Sequence, residues 1–442
     1  MTIKSAVSAV FIYNDQVFLI QRQPYLAAFP GYHAFPGGKV DHDDSEEPFA
    51  EGHLLANGGT KLVRALIREM KEELHFDLEA AVDEGLVTGF GPLAVATAPV
   101  FNPIRFRNQF FRVDVSGLPD FIVDEQEAGA WEWFTPASFL DRSRRGQLLV
   151  VPPVRFLFEA LQEDLSCSYV AIDISYDPEK EVPLFETFHQ LWILPVRSHT
   201  LPPADRTNVF VVGDTVIDPS PHDLDELARL ENVLQRFQPK KIMLTHHHGD
   251  HHQHADELAR RYNLPILLSQ DTHRRIEGKN PAYFKDLEVR HISEGDVLTQ
   301  WLGEDVHIYE VPGHDEGQLA LAPESLSWFI VGDLIQGIGT VVIAAPEGNM
   351  KKYFASLERV IALAPRYIIP SHGIAMGGTY RLEATLDHRR EREKQIRVLW
   401  EKEKTPSEIL EVVYKGLNYG LAPLAMASIN CHLEKLREEG QI

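Results

Sequence analysis

The chain has 442 residues with 43 Lys and Arg against 65 Asp and Glu, and this net charge of −22 argues against a protein that grips nucleic acid or an anionic membrane through overall charge. With 44% hydrophobic and 24% charged residues it reads as an ordinary soluble globular protein of about three domains, neither disordered nor fibrous. Two cysteines, Cys167 and Cys431, are too few for a disulfide framework, no apolar run nears the roughly 18 residues of a membrane helix, and Asn14 and Asp15 interrupt any cleavable leader, which together predict a reduced, cytoplasmic protein with no membrane partner.

Taken in chain order, strand-like runs at Ala6–Tyr13, Gln16–Gln21 and Phe110–Val115 alternate with a helical pattern from Lys61 to Leu74. A second helical stretch, Val154–Leu165, closes a mixed α/β unit over residues 1–165. Inside it, Phe35-Pro-Gly-Gly38 is followed by Arg68-Glu-Met-Lys-Glu-Glu73. On a helix Glu69 lies three residues from Glu72 and four from Glu73, so the three carboxylates share a face and suit Mg2+ or Mn2+ beside a diphosphate. The two segments resemble the Nudix box, and the similarity extends over residues 5 to 160. It implies an α/β/α domain in which Gly37, Gly38 and Arg68 build the loop and box around the metal-binding Glu69, Glu72 and Glu73.

Three positions depart from that family's pattern. A long insertion separates Asp44 from Arg68, Asp44 stands for the usual Glu, and His75 stands for the usual glycine after the glutamate pair. Such an insertion, with Asp at its start, is similar to the coenzyme A diphosphatase branch and implies hydrolysis of a nucleoside-diphosphate-linked compound. The alternative is a Nudix fold kept as a non-catalytic nucleotide-binding module.

The polar interval Tyr176–Pro183 marks a boundary region, with the junction placed near residue 165. Over residues 166–385 short apolar strands recur at Val209–Val212, Lys241–Thr245, His307–Val311, Trp328–Val331 and Tyr367–Ile369, several followed by helices, as in a second α/β domain richer in sheet. Directly after the run Lys241–Leu244 comes a segment holding six of the 20 histidines, from His246 to His254. In an extended chain residues two apart point the same way, so His246 and His248 address one ion while His247 faces away. Asp250 and His251 then begin the turn into a helix around Ala255–Tyr262 and address a second ion. Three more candidate ligands, His314, Asp333 and His372, each follow a strand-like run, so four strand ends are expected to meet at one edge of a sheet.

The pattern His-x-His-x-Asp-His, with the later Pro312-Gly-His, Gly332-Asp and Ser371-His-Gly segments, resembles the metallo-β-lactamase superfamily over residues 170 to 385. The resemblance implies an αββα sandwich with two Zn2+ ions. It assigns His246, His248 and His314 to one ion and Asp250, His251 and His372 to the other, with Asp333 bridging. Seven imidazole and carboxylate ligands with no cysteine leave open positions, the mark of a catalytic rather than a structural site. Two ions about 3.5–4 Å apart hold a hydroxide at neutral pH and polarise the carbonyl or phosphoryl oxygen that it attacks. Asp333 and Asp250 are the candidate catalytic carboxylates. His247, His252 and His254 read as bystanders or as donors that orient a ligand, and His254 stands where the family often has glycine.

Residues 386–442 read as helical, in Glu383–Trp400, Ser407–Tyr414 and Leu424–Glu439. They are similar to the winged-helix tail of the β-lactamase-like endoribonuclease subfamily, although the chain stops at Ile442, where a wing would begin. Arg389, Arg390, Arg392, Lys394 and Arg397 suit a phosphate backbone, yet Glu391 and Glu393 among them equally suit a solvated helix packed on the sheet domain. The sequence therefore predicts an α/β multidomain metal-dependent hydrolase cleaving an ester, thioester or phosphodiester of a small-molecule substrate. The alternative is an endoribonuclease acting on single-stranded RNA.

Overall fold

The computed structural model describes residues 3–100, 105–417 and 419–442. Two compact units result, Met1–Tyr176 with Thr187–His189, and Asp177–Glu186 with Gln190–Ile442. The first runs past the junction read near residue 165 because Val170 is buried in its core and its amide donates to the Leu93 carbonyl at 2.8 Å.

In the first unit six strands form one sheet. Ile3–Tyr13 lies at its centre, parallel to Arg105–Val115 in a register that pairs Ile3 with Arg105 and Ile12 with Asp114. The sheet also contains Val87–Thr97 and Ala128–Phe134, which the sequence pattern did not single out. Along the central strand Val7, Ala9 and Phe11 pack with Val63, Leu66 and Met70 of helix Thr60–Leu74. Val10 and Ile12 alternate to the opposite face, against Phe139 of helix Pro136–Arg144 and Leu157 of helix Pro152–Glu163. The result is an α/β/α sandwich with a separate apolar core on each side of the sheet.

The second unit holds two more sheets. One runs Val289–His291, Ile266–Leu268, Lys241–Met243, Thr215–Ile217, Arg206–Val212 and Leu191–Arg197 in that order. The other, six-stranded, runs Val297–Trp301, Glu304–Glu310, Leu319–Pro323, Phe329–Gly332, Tyr367–Pro370 and Met376–Gly377. Val209 and Val211 face helices Leu224–Leu234 and Ala255–Tyr262, leaving the equally buried Phe210 and Val212 on the opposite face. The six-stranded sheet covers its own outer face with helix Met350–Leu363 and the start of helix Tyr380–Trp400, through Leu382 and Leu386. This is the αββα order.

The tail is three helices, Tyr380–Trp400, Pro406–Val413 and Ala422–Glu438, around Ile396, Ile409, Ile429 and Leu433. Thr405 and Glu408 close a capping box at the start of the middle helix.

One close approach positions the loop that carries His314. Gly313 has φ +136, and a Cβ there would stand 2.3 Å from the Tyr353 Cα. Gly313→Ala is therefore expected to lower stability by at least about 2 kcal/mol, from backbone strain and overpacking together. Urea unfolding checks this; a midpoint equal to wild type would show that the loop yields freely.

Candidate metal centre

Seven side chains converge at the strand ends of both sheets. His246 and His248 follow Lys241–Met243 in the sheet that includes Arg206–Val212, and Asp250 and His251 sit in the short helix Gly249–His252. His314, Asp333 and His372 follow Glu304–Glu310, Phe329–Gly332 and Tyr367–Pro370, all in the six-stranded sheet. The ligand strands thus end at one place without sharing one sheet, which corrects the sequence expectation. Backbone bonds between the sheets bring the ends together: the Leu319 amide donates to the Thr245 carbonyl at 2.9 Å, and the Asn208 amide to the Ser371 carbonyl at 2.7 Å.

Two donor groups form. His248 Nδ1 lies 3.0 Å from His246 Nε2 and 2.9 Å from His314 Nε2. Asp250, His251 and His372 offer a second set of atoms, all within 4.8 Å of one another. Asp333 stands between the two sets, with Oδ1 3.6 Å from His251 Nε2 and 3.5 Å from His372 Nε2, and Oδ2 3.8 Å from His314 Nε2.

Each imidazole spends its other nitrogen on a protein oxygen, which sets the ring plane. His314 Nδ1 donates to the Val342 carbonyl and His372 Nδ1 to the Arg206 carbonyl, both at 2.8 Å. His251 Nδ1 pairs with Asp218 Oδ2 at 2.8 Å, and His248 Nε2 with Glu347 Oε2 at 3.3 Å. Asp218 is fully buried and also accepts from the Thr245 amide at 2.7 Å. The sequence reading passed over Asp218, though it carries the same signal as the ligands, a carboxylate directly after an apolar strand. It also passed over Glu347 and Asp315, for which no periodic pattern exists. His247 turns away from the donor groups and is held between Asp315 and Glu347. His252 and His254 bond to the His247 carbonyl and Glu257 instead of joining the cluster. His254 has φ +61, the left-handed conformation that favours glycine there.

The donor set fits a divalent cation. His251 Nε2, His372 Nε2 and Asp333 Oδ1 are buried and lack any hydrogen-bond partner, and each such orphan costs about 1–3 kcal/mol. An ion at their meeting point supplies the missing partner, and imidazole with carboxylate and no thiolate suits zinc, iron or manganese. Burial, reinforced by His248, lowers His314 to about 4, so its ring is neutral and able to ligate. Burial pushes Asp333 upward, but His372 and His251 outweigh it and hold the carboxyl well below the usual range.

In the first unit Asp44 reaches Arg68 despite the insertion, accepting from Nε at 2.8 Å and from Nη2 at 3.2 Å. Arg68 Nη1 also donates to Glu69 at 2.8 Å and to Glu72 at 3.0 Å. Glu73 turns instead to the Gly37 amide at 2.8 Å. The shared helix face holds, and the three carboxylates differ in exposure: Glu72 is exposed, Glu69 half-buried and Glu73 buried. Gly37 has φ +144 and a Cβ there would collide with the Val7 carbonyl, while one on Gly38 would strike the Glu69 carboxylate. His75 ends the helix with φ +49, which is why glycine is the usual residue at that place.

Fold and site together define a metal-dependent hydrolase with an αββα core. Comparison with known proteins is consistent with this class. Residues 202–372 match the model of the Metallo-beta-lactamase superfamily, residues 2–151 the NUDIX domain and residues 405–442 the Beta-lactamase associated winged helix domain. Among relatives, Beta-lactamase-like protein 2 homolog from Drosophila melanogaster is 27% identical across 53% of this chain and 84% of its own length. A Hydroxyacylglutathione hydrolase from Bdellovibrio bacteriovorus is 30% identical across 29% of this chain and 46% of its own, so the chain spans about half of that enzyme. A Beta-lactamase domain protein from Burkholderia ambifaria has the same fold, with a TM-score of 0.51 at 21% identity over 60% of this chain and 90% of that one. The chain joins a NUDIX domain to a metallo-β-lactamase superfamily hydrolase domain and its associated winged helix domain.

Burial raises the Glu73 carboxyl from 4.5 to about 8 against the pull of the Gly37 amide. A carboxyl raised in the folded state favours folding while it keeps its proton, so stability is expected to fall as pH rises from 4.5 toward about 8. Glu73→Gln removes that slope and raises the melting temperature at pH 8 without added metal. Parallel melting-temperature profiles for the two proteins would disprove the assignment.

Proposed function

We propose that the chain is a two-zinc thioester hydrolase, with its hydrolase domain following the N-terminal unit that runs to Tyr176 and preceding a tail over 386–442. His246, His248 and His314 hold one ion, Asp250, His251 and His372 the other, and Asp333 spans both. The observation that carries this reading is the trio of orphaned buried atoms on His251, His372 and Asp333. When bound, the two ions supply Lewis acidity to the scissile bond and to the attacking water.

The protein's own groups supply orientation. Asp333 is ionised without help from an ion, because two imidazoles flank it. Asp250 is the more exposed of the two site carboxylates, at 16% of its side chain against 5% for Asp333, and so is placed to accept a hydrogen bond from the attacking water.

Thioesters are favoured over RNA on two grounds. The relatives include hydroxyacylglutathione hydrolases. Three of the tail's cations are already engaged: Arg389 is buried against the Val341 carbonyl, Arg390 pairs with Glu358, and Arg392 donates to the Val413 carbonyl. An acyl-coenzyme A carries both a thioester and the diphosphate that the NUDIX domain's glutamates, with Mg2+ or Mn2+, suit. The winged helix match at residues 405–442 is the observation that favours the second reading, cleavage of single-stranded RNA.

Zinc-loaded protein is assayed on an acylglutathione, an acyl-coenzyme A and a labelled single-stranded RNA. Thioester hydrolysis is expected, falling by at least about 100-fold in Asp333→Ala and in His248→Ala with the circular dichroism spectrum unchanged. RNA cutting abolished by Asp333→Ala, with no thioester turnover, would overturn the thioester reading.

A further inference from the structure

Two of the three histidines in the first metal group take their orientation from one loop, residues 341–349. Its Val342 carbonyl accepts from His314 Nδ1, and its Glu347 carboxylate meets His248 Nε2. The loop is neither helix nor strand, so its placement depends on what grips it. At its end the Asn349 amide donates to the Gly313 carbonyl at 2.8 Å, beside His314 itself. At its start Val341 and Ile343 are buried in the same core as Leu382, Leu386 and Cys431 from the tail helices.

The tail also grips the start of the loop directly. Arg389 is only 4% exposed and donates Nη2 to the Val341 carbonyl. Its Nη1 donates to Ser428 Oγ, on the last helix, at 3.3 Å. Its guanidinium lies 5.9 Å from the centre of the Tyr353 ring, on the helix that packs against Gly313. A buried guanidinium is costly unless its donors are used, and this one uses them to tie the last helix to the residue preceding Val342.

We propose that Arg389 is a positioning residue for the first metal group: through Val341 it holds the loop whose Val342 carbonyl and Glu347 carboxylate orient His314 and His248. The winged helix tail then acts on the hydrolase domain as a buttress for half of its metal centre. His251 and His372 take their outer contacts from Asp218 and Arg206, outside this loop, so the effect falls on one ion. This rests on the two-metal reading above.

The test is metal binding by the full chain, measured by competition with a chromophoric chelator and by the visible spectrum of Co2+-loaded protein. Wild type is expected to bind two ions, and a wild type that does not would defeat the two-metal reading itself. Arg389→Ala, one step beyond the outer contacts whose loss costs about 10–100-fold, is expected to weaken one ion by about 10-fold and to leave the other as in wild type. Ile396→Ala serves as a control. It removes a fully buried side chain from the tail's own core without touching the loop, and is expected to lower the melting temperature while leaving both affinities unchanged. Wild-type affinities in Arg389→Ala, or an equal loss in Ile396→Ala, would overturn the inference. If Arg389→Ala does not fold, Arg389→Lys carries the test: weakening of the same single ion supports the inference, and two ions held as in wild type overturn it.

Discussion

The organising constraint on the second unit is electrostatic: five imidazoles and two carboxylates are crowded into a largely dry space at the ends of two sheets. In water each would keep its own hydration shell. Here His251 Nε2, His372 Nε2 and Asp333 Oδ1 are buried without a hydrogen bond and face one another at 3.5–3.6 Å, an arrangement that an ion at their meeting point would satisfy. The surrounding structure serves that convergence. Backbone bonds bind the two sheets at the ligand end, Asp218 is buried to orient His251 and to brace Thr245, and Gly313, without a side chain, lets the loop before His314 lie against helix Met350–Leu363.

The NUDIX domain handles charge in the opposite way. Its carboxylates are gathered by one cation, Arg68, which contacts the buried Asp44 side chain, Glu69 and the exposed Glu72 at once. Glu73 is also taken inside, out of reach of Arg68's hydrogen bonds, and burial shifts it upward. A hard cation bound there would compete with Arg68 and with the Glu73 proton, whereas an ion in the second unit would compete with the protons that, against burial, the neighbouring carboxylates hold on His251 and His372. The two sites therefore differ in what a cation would have to displace.

The tail illustrates why a row of basic residues does not define a binding surface. Arg389 is buried, Arg392 lies 4.3 Å from the Tyr414 ring while donating to a carbonyl, and Arg390 pairs with Glu358. Lys435, on the last helix, is equally occupied, with Glu393 and Glu439. Arg389 and Arg390 thus join the tail to the sheet domain, while Arg392 and Lys435 hold the tail helices to one another.

Much of the site was legible in the sequence because its chemistry is local. Residues two apart in an extended chain share a face, and three or four apart on a helix they are neighbours, so the His246 to His251 run and the Glu69 to Glu73 run declare themselves without tertiary information. The strands ahead of His314, Asp333 and His372 were likewise visible as apolar runs, and the layered fold followed from family resemblance. What only the tertiary structure decided is which atoms meet across long stretches of chain. That the ligand strands belong to two sheets, that Asp218 and Glu347 set imidazole planes, that Asp44 finds Arg68 across an insertion, and that Arg389 faces inward all depend on packing between segments dozens of residues apart. Periodicity reports which face of an element is apolar, and it carries no record of what that face or its far end will touch.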